Sequence, residues 1–415
     1  MLTSERRRVL GVSDELEQSP EIEAISEWLV EQGLLRADVP TLLGGYCERL
    51  VAAGVPIWRG YLSALTLHPR VRGVGCSWRP EEGAQGELYI YRPQPSDDYL
   101  VSPFARMVDQ GMRHLRVRLA GDAPIEFPLL SKFRAQGATD YLAHLASFGL
   151  DGTSDGETGV MASWTTARPG GFTNRDLAIL SHLLPRLALA VQTRLGHEIA
   201  VNLLDTYVGP EAGRRILAGK IRRGELEVIS AVILYADLRD FTGHADRLGR
   251  EQLVEMLDAY FDCLVPNIDA LGGQVLKFLG DGLLATFALN GRPAAEVCEL
   301  ALSAASRILG QVRQLNAERA GAGQPMMDLD LVLHLGDVFY GNVGSTDRLD
   351  FTVIGPAVNE AARIEALCSQ HERNLLISEA FARAATQSAD RLVSIGRYAL
   401  RGVRSAQSLY TLDGL

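Results

Sequence analysis

The chain has 415 residues, with 51 acidic against 41 basic side chains and a formal net charge of −10. That length exceeds one ordinary core and predicts two or three domains, while the acidic balance argues against a general nucleic-acid binder. No run approaches the roughly 20 apolar residues of a membrane span. The N-terminal MLTSERRRVL lacks the apolar stretch of a signal peptide, and the five cysteines show neither zinc nor disulfide spacing. A reducing cytoplasm is the expected location.

Residues 1–175 mix helical and strand patterns. Ile22, Ile25, Trp28 and Leu29 keep helical spacing. GELYIYRP (86–93), HLRVRLAG (114–121) and TGVMASWTT (158–166) read as short strands. The mixture predicts an α+β sensory domain. His68, Cys76 and Trp78 lie close together in LHPRVRGVGCSW (67–78), but one His with one Cys reads as ordinary structure before a haem or metal site.

Residues 176–225 read as a helical signalling linker. Thr173 and Asp176 stand three apart as a capping pair. Leu177, Leu180, Leu184, Leu187 and Val191 then step by threes and fours, a heptad-like seam that predicts pairing with a second copy. Packing of that helix on its own domain is the alternative. Pro185 predicts a kink or a break, and the glycine-punctuated, basic YVGPEAGRRILAGKIRRGE (207–225) marks the domain boundary.

A different pattern fills residues 226–415. VISAVILYAD (228–237) has the unbroken apolar character of a buried central strand. EQLVEMLDAYFDCLV (251–265) places Leu253, Met256, Leu257, Tyr260, Phe261 and Leu264 on one helix face. GGQVLKFLGDGLLATF (272–287) reads as two strands joined by a tight turn at Gly280-Asp281-Gly282. A second amphipathic helix (294–316) is followed by MMDLDLVLHLGDVFYGNVG (326–344), read as a strand and then a glycine-rich turn. The order βα-ββ-αβ is that of a ferredoxin-like, palm-type α+β core with additions.

Two aspartates stand out. Asp237 ends an apolar strand and Asp281 sits in the hairpin turn; if those strands are neighbours, both carboxylates converge at the sheet edge. Oxygen ligands suit Mg²⁺ or Mn²⁺, and paired metals suit phosphoryl chemistry. Singly, Asp281 is equally a turn residue and Asp237 a helix N-cap. Asn359 and Arg363 are four apart and share a face if helical. Singly, they read as a solvated face with a local Arg363–Glu360 charge pair.

Together, ADLRDFT (236–242), KFLGDG (277–282) and DFTVIGPAVNEAARIE (350–365) resemble class III adenylate and guanylate cyclases, in the family's order and spacing. The resemblance covers roughly residue 226 to the C-terminus. It implies a ferredoxin-like catalytic domain working as a homodimer, with active sites shared at the subunit interface. It implies metal binding by Asp237, Asp281 and the backbone carbonyl of Leu238, with two Mg²⁺ or Mn²⁺ ions per site. It implies purine selection by Lys277 and Thr352, ribose orientation by Asn359, and contact of Arg363 with the reacting phosphate. Arg401, in Leu400-Arg401-Gly402 where the family often has a lysine, is expected on the triphosphate.

Lys277 with Thr352 implies ATP as substrate and cyclic AMP as product, and Thr352 resembles the threonine-bearing adenylate cyclase subclass. A guanylate cyclase and a catalytically silent nucleotide-binding module are the alternatives. No GGDEF-type signature of a diguanylate cyclase is present. The N-terminal block and the helix after it resemble GAF-type sensors, which implies regulation by an unidentified small-molecule or signal ligand there.

Overall fold

The computed structural model describes residues 19–92, 94–148, 159–401, 403 and 406–414. The N-terminal segment and Gly402 discussed above lie outside the described residues. The chain divides into two units, residues 1–203 and 204–415. Among the described residues no helix is long and apolar enough to cross a membrane.

The N-terminal unit begins with helices α1 (Pro20–Leu35) and α2 (Val39–Ala52). Pro20 opens α1 at a position where a missing N–H costs nothing, and the Asp38 carboxylate caps α2 by accepting from the Thr41 N–H at 2.7 Å. Six strands follow: β1 (Arg59–Leu65), β2 (Val71–Arg79), β3 (Gly83–Ile90), β4 (His114–Arg118), β5 (Asp140–Ser147) and β6 (Gly159–Thr166). They form one antiparallel sheet in the order β3-β2-β1-β6-β5-β4. One face packs on α1, α2 and the long helix α5 (Asn174–Val208). The other carries α3 (Pro103–Asp109) and α4 (Pro128–Ala135) through Met107, Leu130 and Phe133.

The start of α5 follows the sequence reading. Thr173 Oγ1 accepts from the Asp176 N–H at 3.2 Å, and Asp176 Oδ2 accepts from the Thr173 N–H at 2.7 Å. The seam reading needs correction. Leu180, Leu187 and Val191 are buried in their own unit's core, with Leu177 and Leu184 packed against it. A side chain already buried on its own sheet has no apolar surface left for a partner. Pro185 does not divide the helix, which runs as one element from Asn174 to Val208. Burial of Leu183 and Leu187 on either side offsets the lost backbone bond.

His68 and Cys76 have ordinary roles. His68 Nδ1 accepts from the N–H groups of Arg70 and Val71, capping a turn, and Cys76 lies in the core with Trp78. Among the described residues all five cysteines are free and buried.

The C-terminal unit contains α6 (Pro210–Leu217), β7 (Leu226–Leu238), α7 (Arg250–Ala270), β8 (Gln274–Leu279), β9 (Gly282–Ala288) and α8 (Ala294–Gly321). After these come β10 (Leu329–Gly344), β11 (Leu349–Ile354), α9 (Pro356–Glu365), β12 (Leu375–Ser378), α10 (Glu379–Ala384), β13 (Leu392–Tyr398) and β14 (Gln407–Leu412). The sheet order is β13-β14-β12-β10-β7-β9-β8, with β11 on β10. Its β10-β7-β9-β8 part is the ferredoxin-like arrangement of a βαββαβ unit. Helices α7, α8 and α10 cover one face with Met256, Tyr260, Ala301 and Phe381. Helices α6 and α9 cover the other with Ala212, Ala357, Ala361 and Ile364.

Two local expectations change here. The stretch 207–225 is not an open connector, because Ala212 is fully buried against the C-terminal sheet. The residues read as a glycine-rich turn after Leu335 continue as strand to Gly344. Gly341 and Gly344 have φ of 149° and 148°, and a Cβ at either would strike the backbone of Glu225 or Arg348. These glycines permit close strand approach and not a reversal of direction.

Candidate active site

Asp237 sits one residue from the end of β7, the strand flanked by β9 and β10. Asp281 occupies the turn between β8 and β9, beside Gly280 with φ of 72°. Register fixes their approach: Ala236 pairs with Leu283, so Gly282 lies beside Asp237. A Cβ on Gly282 would fall 2.5 Å from Asp237 Oδ1. Only glycine allows the hairpin to begin against that carboxylate.

The electrostatics are unbalanced. Burial first, then the charges of Asp281 and Asp330, push the Asp237 carboxyl up to about 6. Glu365, at the C-terminal end of α9, is pushed up to about 7 by burial and then by Asp237, Asp330 and Asp281. Asp330, opposite Asp237 on β10 and 2% exposed, has its own cation. Arg239 pairs with it, and Ser369 Oγ donates to it at 3.2 Å. Asp237 and Asp281 have no cationic side chain bonded to them among the described residues.

A divalent cation fits this donor set, because two repelling carboxylates beside a strand-end carbonyl, that of Leu238, gain most from a bound positive charge. Among the described residues no three His, Cys, Asp or Glu side chains gather as a metal cluster. The candidate set is therefore two carboxylates and a carbonyl.

A second group of side chains forms elsewhere on the unit. Lys277 Nζ donates to Asp350 Oδ2 at 2.6 Å, tying β8 to β11. Thr352 lies two residues further along β11, on the same side of the strand as Asp350. It is 3% exposed, and its hydroxyl has no hydrogen-bond partner among the described residues. A buried hydroxyl left unmade is costly, so a ligand polar group there is favoured.

On α9 the buried residues Ala357, Ala361 and Ile364 face the sheet, which turns Asn359 and Arg363 outward. The local charge pair considered for Arg363 does not form. Glu360 instead accepts from Gln407 Nε2 at 2.8 Å and lies 3.8 Å from His334 Nε2. Arg401 is exposed in the loop after β13, which Leu400 anchors in the core.

The structure thus brings Asp237 to Asp281, and Lys277 to the vicinity of Thr352. No hydrogen bond or ion pair among the described residues joins the two groups. Sequence reasoning missed Asp350, Arg239, Asp330 and Glu365. Asp350 and Glu365 stand at the two ends of DFTVIGPAVNEAARIE, and a carboxylate ending an otherwise apolar helix face was the available signal for Glu365.

Residues 226–414 match the family model described as the adenylate and guanylate cyclase catalytic domain. An adenylate cyclase of Anabaena cylindrica is 35% identical over 155 residues, 36% of this chain and 30% of that protein. Adenylate cyclase 1 of Rhizobium meliloti is 26% identical over 185 residues, 44% of this chain and 27% of that protein. Each alignment spans under a third of the relative's own length. A solved bacterial light-regulated adenylyl cyclase is similar at 25% identity and a TM-score of 0.47, over 56% of this chain and 65% of that one.

Proposed function

We propose that the class III cyclase catalytic domain at residues 226–414 converts ATP to cyclic AMP and pyrophosphate as a homodimer. The observation that carries this reading is the meeting of Asp237 and Asp281 without a neutralising side chain, in contrast to Asp330 with its Arg239.

In this reaction the ribose 3′-oxygen attacks the α-phosphorus and pyrophosphate leaves. Positioning and charge stabilisation carry the rate. Mg²⁺ or Mn²⁺, two per site, held by Asp237, Asp281 and the Leu238 carbonyl would supply positive charge to the triphosphate and acidify the attacking hydroxyl. Arg363 meets the charge that grows on the α-phosphoryl oxygens, where a fixed cation helps most. Asn359 orients the ribose, and Arg401 reaches the triphosphate.

Lys277 donates to adenine N1, and the unpartnered Thr352 hydroxyl accepts from the 6-amino group. Guanine presents N1–H to the same lysine, leaving a donor facing a donor at a cost of about 1–3 kcal/mol. ATP is therefore preferred.

Two copies share each site: the carboxylates of one protomer face Lys277, Thr352, Asn359 and Arg363 of its partner. An exposed apolar row supports such an interface. Val228, Phe339 and Ile354 are laterally adjacent on β7, β10 and β11, and they are 66%, 44% and 39% exposed. The N-terminal unit, a sheet between two helical layers, serves as a GAF-like regulatory module that receives a ligand. Five free cysteines favour a reducing cytoplasm.

The test is purified full chain with Mn²⁺ and either ATP or GTP, with products separated. Cyclic AMP from ATP is expected, and preferential cyclic GMP would reverse the substrate assignment. Mixing inactive Asp237→Ala with inactive Arg363→Ala chains should restore partial activity. Mixed dimers that stay inactive would refute shared sites.

A further inference from the structure

The N-terminal sheet has one conventionally apolar face and one that is not. Leu62, Trp164 and Leu142 point into the core beneath α1, α2 and α5. On the opposite face, Arg59, Thr165 and Tyr141 stand side by side across β1, β6 and β5, since Thr165 is the register partner of both others. The next row brings Ser77, Tyr61 and Ser163 together in the same way. A sheet face covered by a helical layer normally presents apolar side chains. Here its centre is a guanidinium and a set of hydroxyls.

The tyrosines of this face are partnered, Tyr61 with the Tyr89 hydroxyl at 2.6 Å and Tyr141 with Ser163, but among the described residues Arg59 and Thr165 are not. Arg59 has no hydrogen-bond or ion-pair partner among the described residues; its guanidinium carbon lies 5.1 Å from the Phe133 ring and 5.2 Å from the Tyr61 ring. Burial, with the like charge of Arg79, pulls its pKa down, only partly opposed by Tyr141, Tyr61 and Glu87. The comparable arginines of the same unit are provided for. Arg116 grips Asp140 at 2.6 Å and the Phe172 carbonyl at 2.7 Å, and Arg168 pairs with Asp176.

Thr165 is fully buried, yet its Oγ1 has no partner. The Tyr141 hydroxyl bonds to Ser163. Around this cluster stand rings: Phe133 meets Trp58 edge-on at 6.1 Å, and Phe104 lies 5.9 Å from Tyr61.

We propose that Arg59, Thr165 and Tyr141 form a binding site for a small organic carboxylate with a flat apolar body. The guanidinium offers a planar two-donor fork that matches a carboxylate. The Thr165 hydroxyl supplies a further donor at depth, and Phe133 and Phe104 supply walls for the apolar part, with Trp58 behind Phe133 and covered by the Arg79 guanidinium 4.1 Å from its ring centre. A carboxylate satisfies both unmet groups at once: the desolvated cation gains its counter-charge and the orphaned hydroxyl its acceptor. Inorganic phosphate shares the anionic chemistry but leaves the aromatic walls uncovered. The site stands independently of the cyclase chemistry, because binding is read without turnover.

Isothermal titration calorimetry on the full chain tests it, with benzoate, acetate and inorganic phosphate as probes. Saturable binding of benzoate is expected, with acetate at least about tenfold weaker because it forgoes the walls. Arg59→Met should weaken benzoate more than about tenfold and Thr165→Val about three- to tenfold. Arg59→Lys keeps the charge but loses the fork. It should also bind weakly, and it serves as the arginine variant if Arg59→Met does not fold. No saturable benzoate binding, unchanged affinity in the folded arginine variants, or phosphate binding as tightly as benzoate would each overturn the proposal.

Discussion

Replacing Asp237 by Asn is expected to abolish activity and to stabilise the protein at once. Burial and two neighbouring carboxylates raise Asp237 from 3.8 to about 6. That is about two pH units at ~1.4 kcal/mol each, an upper limit of ~3 kcal/mol. Partial exposure of the carboxylate screens the charges and reduces the expected gain to ~1–2 kcal/mol. The sign follows from proton binding. The folded chain keeps this proton to higher pH than the unfolded chain, so ionisation destabilises the fold fully above about 6 and progressively less down to 3.8.

Asp237→Asn should therefore raise the melting temperature of the C-terminal unit by roughly 2–8 °C at about pH 8 in chelator. Most of that gain should vanish by about pH 4. Adding Mn²⁺ should stabilise the natural protein and leave the variant nearly unmoved. Differential scanning calorimetry reads all three. A variant no more stable than the natural chain at the higher pH, or a gain that persists unchanged in acid, would refute a repelled carboxylate awaiting a cation.

Two further outcomes are expected. Asp350→Asn frees Lys277 from its 2.6 Å partner. Because Asp350 is exposed and Lys277 partly so, stability should change by less than ~1 kcal/mol. The ratio of kcat/KM for ATP to that for GTP should fall by about tenfold, read by steady-state assays with each nucleotide; an unchanged ratio removes Asp350 from base selection. Leu187→Ala empties a fully buried position on α5 and should destabilise the N-terminal unit by about 2–5 kcal/mol in denaturant unfolding. If it instead dissociates a dimer with that unit's stability intact, as sedimentation would show, the seam belongs between copies after all.

Much of the candidate site was legible from residue order because its chemistry is local. The tight turn read at Gly280-Asp281-Gly282, the apolar strand read as ending at Asp237 and the four-residue step from Asn359 to Arg363 are each short-range patterns, and each formed to within one residue, with Gly282 opening β9 and β7 running on to Leu238. The same holds for the Thr173–Asp176 cap. Patterns failed where burial decides the outcome. A spacing of threes and fours does not say which surface a helix will cover, and on α5 the unit's own sheet claimed Leu180, Leu187 and Val191. Glycines that look like turn formers in β10 turned out to be contact points between backbones.

By itself the sequence determined the succession of elements in the C-terminal half, the identity of the catalytic candidates and the absence of any long apolar span, since these depend on neighbours a few positions apart. Tertiary structure alone decided which charges meet. Arg239 is bound to Asp330 and leaves Asp237 without a cation; Asp350 holds Lys277; Arg59 is half-buried without a counter-charge beside the orphaned Thr165 hydroxyl. Electrostatic need arises from desolvation and through-space approach, and neither can be read from distance along the chain.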